Sequence, residues 1–450
     1  MSLAKTQVKT EQTTLHRIDA VLLVGVQQPD QDETVIREQL QELEALATTL
    51  GKTVTGHFLA KIRQPQSRYL VGSGKAEQIC EEAAENGCEG IIFDEELTPS
   101  QQRNWEKMSG LTVVDRQEVI LGIFGQRART REATLQVALA QADYDFSRLK
   151  RHWTHLSRQR GPGGAAAPGV KGEGEQQIEL DARMVQERIN SLRRQLREVR
   201  KQRQVQRQKR LENPISLAAL VGYTNAGKSS LLNSVSQASV FTEDKLFATL
   251  DPTIRRITLP NKQHLLLADT VGFVRKLPHQ LIEAFKATLE ETAHADFLVE
   301  VLDATSRRIS EQHETTRDVL KELQIEDKPV ITVINKIDLI EENYKIRRLQ
   351  RAHPDAVFIS TRTGEGLDEL GKALSQELER TLIDMRLFIP HSQYEVTAYV
   401  YRTCQVDNVK YVNAGTWLDA KCPPTVKDEV QQFEVCTDNP LESEELVNKV

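Results

Sequence analysis

The chain has 450 residues and a formal net charge of −6, too long for one compact core and too acidic for a wholesale cationic binder of nucleic acid or membrane. No apolar stretch approaches the roughly 20 residues that span a bilayer. Residues 1–17 read as a polar lead-in without a signal-peptide core, so the expected location is cytoplasmic.

From Ile18 to about Asp115, strand-like and helix-like stretches alternate, which predicts an α/β domain. Strands are expected at Ile18–Val26, Val54–Ala60, Gly90–Asp94 and Leu111–Val114, and helices at Thr34–Leu50, Lys75–Asn86 and Pro99–Met108. Gly72-Ser73-Gly74-Lys75 fits either a tight strand-to-helix turn or an anion contact at a helix start. The five cysteines (Cys80, Cys88, Cys404, Cys422, Cys436) are odd in number and form no Cys-x-x-Cys pair. Reduced thiols fit better than a disulfide or zinc framework.

Long helices are expected over 116–213. Leu135, Leu139, Ala142, Phe146, Leu149, Trp153 and Leu156 recur at helical spacing, and Val185, Ile189, Leu192, Leu196 and Val199 repeat it. Gly161–Gly174 is too rich in glycine and proline to stay helical, so an antiparallel hairpin with a flexible tip is predicted. Ser191–Arg210 carries nine Lys or Arg residues against one acid, Glu198. Intrahelical pairing cannot balance that run, and RNA phosphate is the economical counter-anion; a solvated face is the alternative. Trp153, near the cations Lys150, Arg151, His152, Arg158, Arg160 and Lys171, fits the helical seam better than base stacking. Asn213-Pro214 stops the second helix.

A buried strand at Ile215–Val221 leads into Gly222-Tyr223-Thr224-Asn225-Ala226-Gly227-Lys228-Ser229, the phosphate-binding loop pattern. Its backbone amides and the following helix start favour phosphate. Lys228 would reach the phosphate oxygens, and the Ser229 hydroxyl would ligate magnesium. Downstream, Leu265–Ala268 ends in Asp269-Thr270-Val271-Gly272, where Asp269 suits magnesium and the Gly272 amide the γ-phosphate. Val330–Ile334 ends in Asn335-Lys336-Ile337-Asp338, where a carboxylate can accept from guanine N1 and its 2-amino group, donors that adenine lacks. Lys336 would lie over the base or brace the phosphate loop. Ser360-Thr361-Arg362, after a strand at Ala356–Ile359, would offer backbone amides to the guanine oxygen. The ordered set predicts a site for GTP, GDP and Mg2+. Phe273 stands where many GTPases place a water-orienting glutamine, so no catalytic residue is identified and a partner or another residue is expected to complete the site. After residue 386, strands are expected at Glu395–Tyr401 and Val409–Val412.

The chain resembles the HflX family of ribosome-associated GTPases over nearly all of residues 18 to 385. The resemblance rests on Tyr69-Leu-Val-Gly-Ser-Gly-Lys75, Asp115-Arg116 with Ile123-Phe124, Arg127-Ala-Arg-Thr130, Leu135-Gln136-Val137 and Trp153-Thr-His-Leu-Ser-Arg158. It continues through Gly222–Ser229, Leu246-Phe-Ala-Thr-Leu-Asp-Pro-Thr253, Ala268–Phe273, Pro278-His279 to Ala284-Phe285, and Thr288-Leu-Glu-Glu291. The resemblance implies that Phe247, Ala248, Thr249, Leu250 and Asp251 belong to the nucleotide site. Thr249 would complete the magnesium shell; on sequence alone Thr253 rivals it. It further implies binding to the large ribosomal subunit and its RNA, splitting or rescue of stalled or idle ribosomes, and stimulation of hydrolysis by the ribosome. The alanine-rich tip departs from the family's compact glycine loop.

The expected architecture is α/β: a P-loop GTPase domain (214–386) preceded by an α/β domain (18–115) and a long antiparallel helical hairpin (116–213), with a small C-terminal α+β domain (387–450). A monomer is expected. Two functions of different class fit: a GTP-hydrolysing factor that engages ribosomal RNA, and a nucleotide-regulated scaffold in which turnover is incidental.

Overall fold

The computed structural model describes residues 18–159, 173–211, 215–236, 246–247, 253–275 and 292–435. The lead-in, residues 160–172 of the glycine-rich stretch and the Asn213-Pro214 stop lie outside these, as do the side chains of Trp153 and its neighbouring cations; Gly174, expected in the non-helical tip, is instead in the first turn of a long helix that begins at Glu173. The chain forms two compact units. The first comprises Met1–Val199, Glu243–Asp251 and Val274–Thr288; the second comprises Arg200–Thr242, Pro252–Phe273 and Leu289–Val450.

In the first unit, β1 (Ala20–Gln27), β2 (Thr53–Lys61), β3 (Gly90–Phe93) and β4 (Thr112–Asp115) form a parallel sheet in the order β2-β1-β3-β4. Parallel strands need crossovers, which α1 (Glu33–Thr49), α2 (Ser73–Glu85) and α3 (Pro99–Ser109) provide. Asp32 caps α1 by accepting from the Thr34 amide, and Thr98 and Gln101 form a reciprocal capping box on α3. Tyr69 and Val71 of the Tyr69–Lys75 stretch are buried against the sheet, and Trp105 Nε1 donates to the Tyr69 carbonyl at 3.0 Å. Lys75 stands over the Phe58 ring, 5.8 Å from its centroid.

One helix, α4 (Arg116–Arg127), precedes the long pair and packs on α1, with Gly122 against Leu50. The long pair is α5 (Arg131–Gln159) and α6 (Glu173–Leu211). Leu135, Ala138 and Ala142 share a buried cluster with Ile189, Leu192 and Leu196, and Arg193 meets Asp143 across the seam at 3.5 Å.

Two guanidiniums and two carboxylates interlock in this unit. Arg116 bonds Asp94 and Glu42, both at 2.8 Å. Arg275, two residues beyond Phe273, bonds Asp94 at 2.7 Å and stands 3.7 Å from Glu42. Arg116 and Asp94 are almost wholly buried, so each charge needs its partner to offset desolvation.

The second unit is built on a six-stranded sheet: β5 (Leu217–Val221), β6 (Thr253–Thr258), β7 (His264–Asp269), β8 (Phe297–Asp303), β9 (Val330–Asn335) and β10 (Val357–Phe358), in the order β10-β9-β8-β5-β7-β6. Only the edge strand β6 is antiparallel to its neighbour. Helices α7 (Lys228–Ser236), α8 (Ile309–Glu322), α9 (Asn343–Ala352) and α10 (Leu367–Thr381) accompany the strands. The core joins Leu231 and Leu232 of α7 and Leu370, Leu374 and Leu378 of α10 to the strands. An antiparallel sheet follows, β11 (Ile383–Pro390), β12 (Gln405–Val412) and β13 (Gly415–Cys422), in the order β11-β13-β12, with α11 (Tyr394–Thr403) and α12 (Pro424–Val430).

The strand expected at Glu395–Tyr401 is instead α11. Its Val and Tyr content suggested a strand, but Val396, Thr397, Tyr399 and Val400 are the residues that turn inward, a helical spacing. The helix buries that stripe on the sheet, and tertiary packing overrides residue propensity.

Replacing Arg116 with Met should cost about 3 kcal/mol of stability, because buried carboxylates lose a cation. Urea unfolding of the full chain measures it; an unchanged midpoint would show that the quartet contributes nothing.

Candidate functional site

Because β5, β7, β8, β9 and β10 are parallel, the segments that leave their carboxyl ends gather along one edge of the sheet. Gly222–Gly227 follows β5, Asp269–Gly272 closes β7, Asn335–Asp338 closes β9, and Ser360–Arg362 follows β10. The four motifs read from the sequence therefore belong to one edge.

The phosphate loop has a backbone shape that only glycine tolerates at two points. Gly222 has φ +134°, and a β-carbon there would lie 2.3 Å from the Val301 carbonyl oxygen. Gly227 has φ +96°, and a β-carbon would lie 2.2 Å from Asn335 Nδ2. Phe273 closes the loop from the other side: its amide donates to the Gly222 carbonyl at 3.0 Å, and its carbonyl accepts from the Thr224 amide at 2.7 Å. Its ring is buried, 2% exposed. The residue that looked anomalous as a water-orienting group is thus a backbone clamp joining the Asp-x-x-Gly segment to the phosphate loop.

Lys228 is 6% exposed, and its amine donates to the carbonyls of Gly222 at 3.0 Å and Tyr223 at 2.8 Å. Burial pulls the ammonium down to about 8, while the negative charge of Asp269 pushes it the other way. An arriving phosphate would reverse that depression, since an adjacent anion favours the charged form. Ser229 Oγ donates to Asp269 Oδ2 at 2.6 Å, so the hydroxyl and carboxylate expected to serve magnesium stand side by side. Both are hard oxygen donors, the kind that Mg2+ accepts together with phosphate oxygens, and the pair fits the ion. Thr270 is fully buried and donates to the Leu220 carbonyl at 2.6 Å, so its side chain secures β5 and faces away from solvent.

Asn335 is fully buried and bridges two motifs. Its amide nitrogen donates to the Ala226 carbonyl at 3.0 Å, and its oxygen accepts from the Thr361 amide at 3.1 Å. Lys336, at φ +66°, bonds Asp303 at 2.7 Å; the bracing of the phosphate loop falls to Asn335. Ser360 Oγ donates to Asp338 Oδ1 at 2.7 Å, which orients that carboxylate. Ser234 Oγ donates to the Thr361 carbonyl at 3.1 Å, tying the Ser360–Arg362 segment to α7. Arg362 is exposed. Sequence reasoning passed over Asp303 and Ser234. The only signal for Asp303 was an acid closing the apolar run of β8, and Ser234 gave none.

Of Phe247–Asp251, only Phe247 is described. It belongs to the first unit, 2% exposed, with its ring 4.6 Å from that of Phe124 at 66°. Ala248, Thr249, Leu250 and Asp251 lie outside the described residues. Thr253, the rival to Thr249, begins β6 opposite Asp269.

Three family models match consecutive stretches: GTP-binding GTPase N-terminal over residues 37–125, GTP-binding GTPase Middle Region over 127–210, and 50S ribosome-binding GTPase over 217–336. GTPase HflX of Akkermansia muciniphila is 43% identical over 423 residues, covering 92% of this chain and 97% of that protein. GTPase HflX of Escherichia coli is 41% identical over 366 residues, covering 81% and 85%. Among solved structures, a GTP-binding protein from Sulfolobus solfataricus in complex with GDP matches at 23% identity with a TM-score of 0.42, covering 80% of this chain and 99% of that one.

The Lys228 shift carries a sign. In the nucleotide-free protein the folded state holds this proton more weakly than the unfolded state does. Stability should therefore rise as pH increases from about 8 toward the ordinary lysine value, 10.5. Lys228→Met should remove that rise; an identical pH profile in thermal melts of wild type and variant would contradict it.

Proposed function

This chain belongs to the HflX family of GTPases and hydrolyses GTP, and from that premise we propose that it is a magnesium-dependent ribosome factor whose nucleotide site spans Gly222–Ser229, Asp269–Gly272, Asn335–Asp338 and Ser360–Arg362. The observation that carries the site is the Asn335 side chain, bonded at once to the phosphate loop and to the Thr361 amide. Phosphate-binding and base-binding segments so joined hold a fixed relation to each other.

In this reading the loop amides and Lys228 bind the β- and γ-phosphates. Asp338, oriented by Ser360, accepts from guanine N1 and the 2-amino group, and the Ser360–Arg362 backbone faces the guanine oxygen. Ser229 would hold Mg2+, Asp269 would support it through water, and Thr249 would complete its shell. The ion would neutralise charge that develops on the phosphates. Phe273 has no polar side-chain atom to align water, so the attacking water is oriented by a group that arrives with the partner. The 50S ribosome-binding description of the matched model and the basic stretch Ser191–Arg210 support the large ribosomal subunit and its RNA as that partner. We assign α5 and α6 to an antiparallel hairpin that meets ribosomal RNA, with splitting or rescue of stalled or idle ribosomes, or a part in ribosome assembly, as the outcome. The domain borders near residues 115, 213 and 386, a monomeric state and a cytoplasmic location belong to the same proposal. Among the described residues no helix is long and apolar enough to cross a membrane.

Asp338→Asn should reduce the preference for GTP over ATP about tenfold or more, since a buried donor pair on guanine loses its acceptor; competition binding with an unaltered preference would sink the base assignment. Adding large subunits should raise GTP turnover; a rate indifferent to them would favour the scaffold reading. Replacing Arg200, Arg203 and Arg207 with Gln should weaken subunit binding and flatten its salt dependence by about three counter-ions. Equal salt slopes in co-sedimentation would remove the RNA contact.

A further inference from the structure

Cys404 and Cys422 lie apart in the sequence and face each other in the fold. Cys404 joins α11 to β12, and Cys422 is the last residue of β13. The antiparallel register pairs Gln405 with Lys421, so one step outward Cys404 stands opposite Cys422. Opposed α-carbons in such ladders are about 4.5–5.5 Å apart, within the range that a disulfide spans. Both thiols are free.

Their surroundings differ in a way that assigns roles. Cys422 is fully buried, whereas Cys404 is half-buried and lines a cleft of about 400 Å3. Arg256, His264, Arg402 and Lys421 line the same cleft, and among the described residues no Asp or Glu does. Arg256, Arg402 and Lys421 make no ion pair among the described residues, so their charge is available to an anion in the cleft. Side-chain interaction with Cys422, and a lesser one with Thr403 whose Oγ1 lies 3.6 Å from the sulfur, holds the Cys404 thiol below its ordinary value, while the Cys422 thiol donates to the Ala420 carbonyl at 4.0 Å. The same side-chain interaction, together with burial, pushes Cys422 up. Cys80 contrasts: burial pushes its thiol up. Cys88 is buried and shares a 2.9 Å contact with Thr55 Oγ1. A partly exposed sulfur whose thiol is held below its ordinary value, with a second thiol opposite it across the strand ladder, has the features of a peroxide-reactive cysteine with its resolving partner.

We propose that Cys404 and Cys422 form a peroxide-responsive dithiol, with Cys404 as the attacking sulfur and Cys422 as the resolving one. The Cys404 thiolate attacks one oxygen of hydrogen peroxide. The O–O bond breaks, Cys404 becomes a sulfenic acid, and the departing hydroxide takes up a proton to leave as water. The Cys422 sulfur then attacks the Cys404 sulfur. An S–S bond forms as the S–O bond breaks, and hydroxide leaves with the Cys422 proton as a second water. Two thiols lose two electrons and two protons, and the peroxide is reduced. The new bond would lock the α11–β12 junction to the end of β13 beside the cationic cleft.

The test uses the full chain, treated with stoichiometric hydrogen peroxide, alkylated, and mapped by mass spectrometry without reduction. The expected product is a Cys404–Cys422 cross-linked peptide that forms at least about tenfold faster than any oxidation at Cys80, as its more available thiolate dictates. In Cys422→Ser, a dimedone adduct should accumulate at Cys404. Full alkylation of both residues in the treated wild-type chain, or oxidation confined to Cys80, Cys88 or Cys436, would overturn the assignment. So would an adduct on Cys422 in Cys404→Ser with none on Cys404 in Cys422→Ser. The wild-type map needs no variant, so a misfolded substitution cannot mask the result.

Discussion

The amine of Lys228 is the group around which the second unit is organised. A buried ammonium with no partner is costly, and here two carbonyls of the phosphate loop and the charge of Asp269 meet it only in part. What remains is a deficit of negative charge that a phosphate is shaped to fill. Loop, strand end and helix start must each hold position for that deficit to persist. The backbone bonds of Phe273 to Gly222 and Thr224 and the side chain of Asn335 on Ala226 supply the restraint.

That restraint changes the meaning of Phe273. Considered as a side chain beside the γ-phosphate, it is a missing glutamine. Considered in the fold, it is a buried plug whose amide and carbonyl bind the Asp-x-x-Gly segment to the phosphate loop. These two backbone bonds hold the phosphate loop and the Asp-x-x-Gly segment in one fixed relation.

The first unit shows the same economy with ion pairs. Arg116 and Arg275 share Asp94 and Glu42, which joins the residue two places beyond Phe273 in sequence to the amino-terminal sheet. Phe247 sets its ring on Phe124 in that unit.

Sequence alone determined the nucleotide motifs, the alternation of strands and helices around them, and the heptad seam of α5 and α6. Each of these is local: a turn that admits only glycine, an apolar period, a carboxylate at a strand end. It misread α11, where β-branched and aromatic residues suited a strand until packing on the sheet selected the helical stripe of Val396, Thr397, Tyr399 and Val400. Tertiary structure alone decided the links between distant segments. Nothing in the spacing pairs Asp94 with Arg275, Asn335 with Ala226, or Cys404 with Cys422. Those pairs follow from strand order and register, which depend on how the whole chain buries its apolar surface, and that global balance is not written in any single stretch of residues.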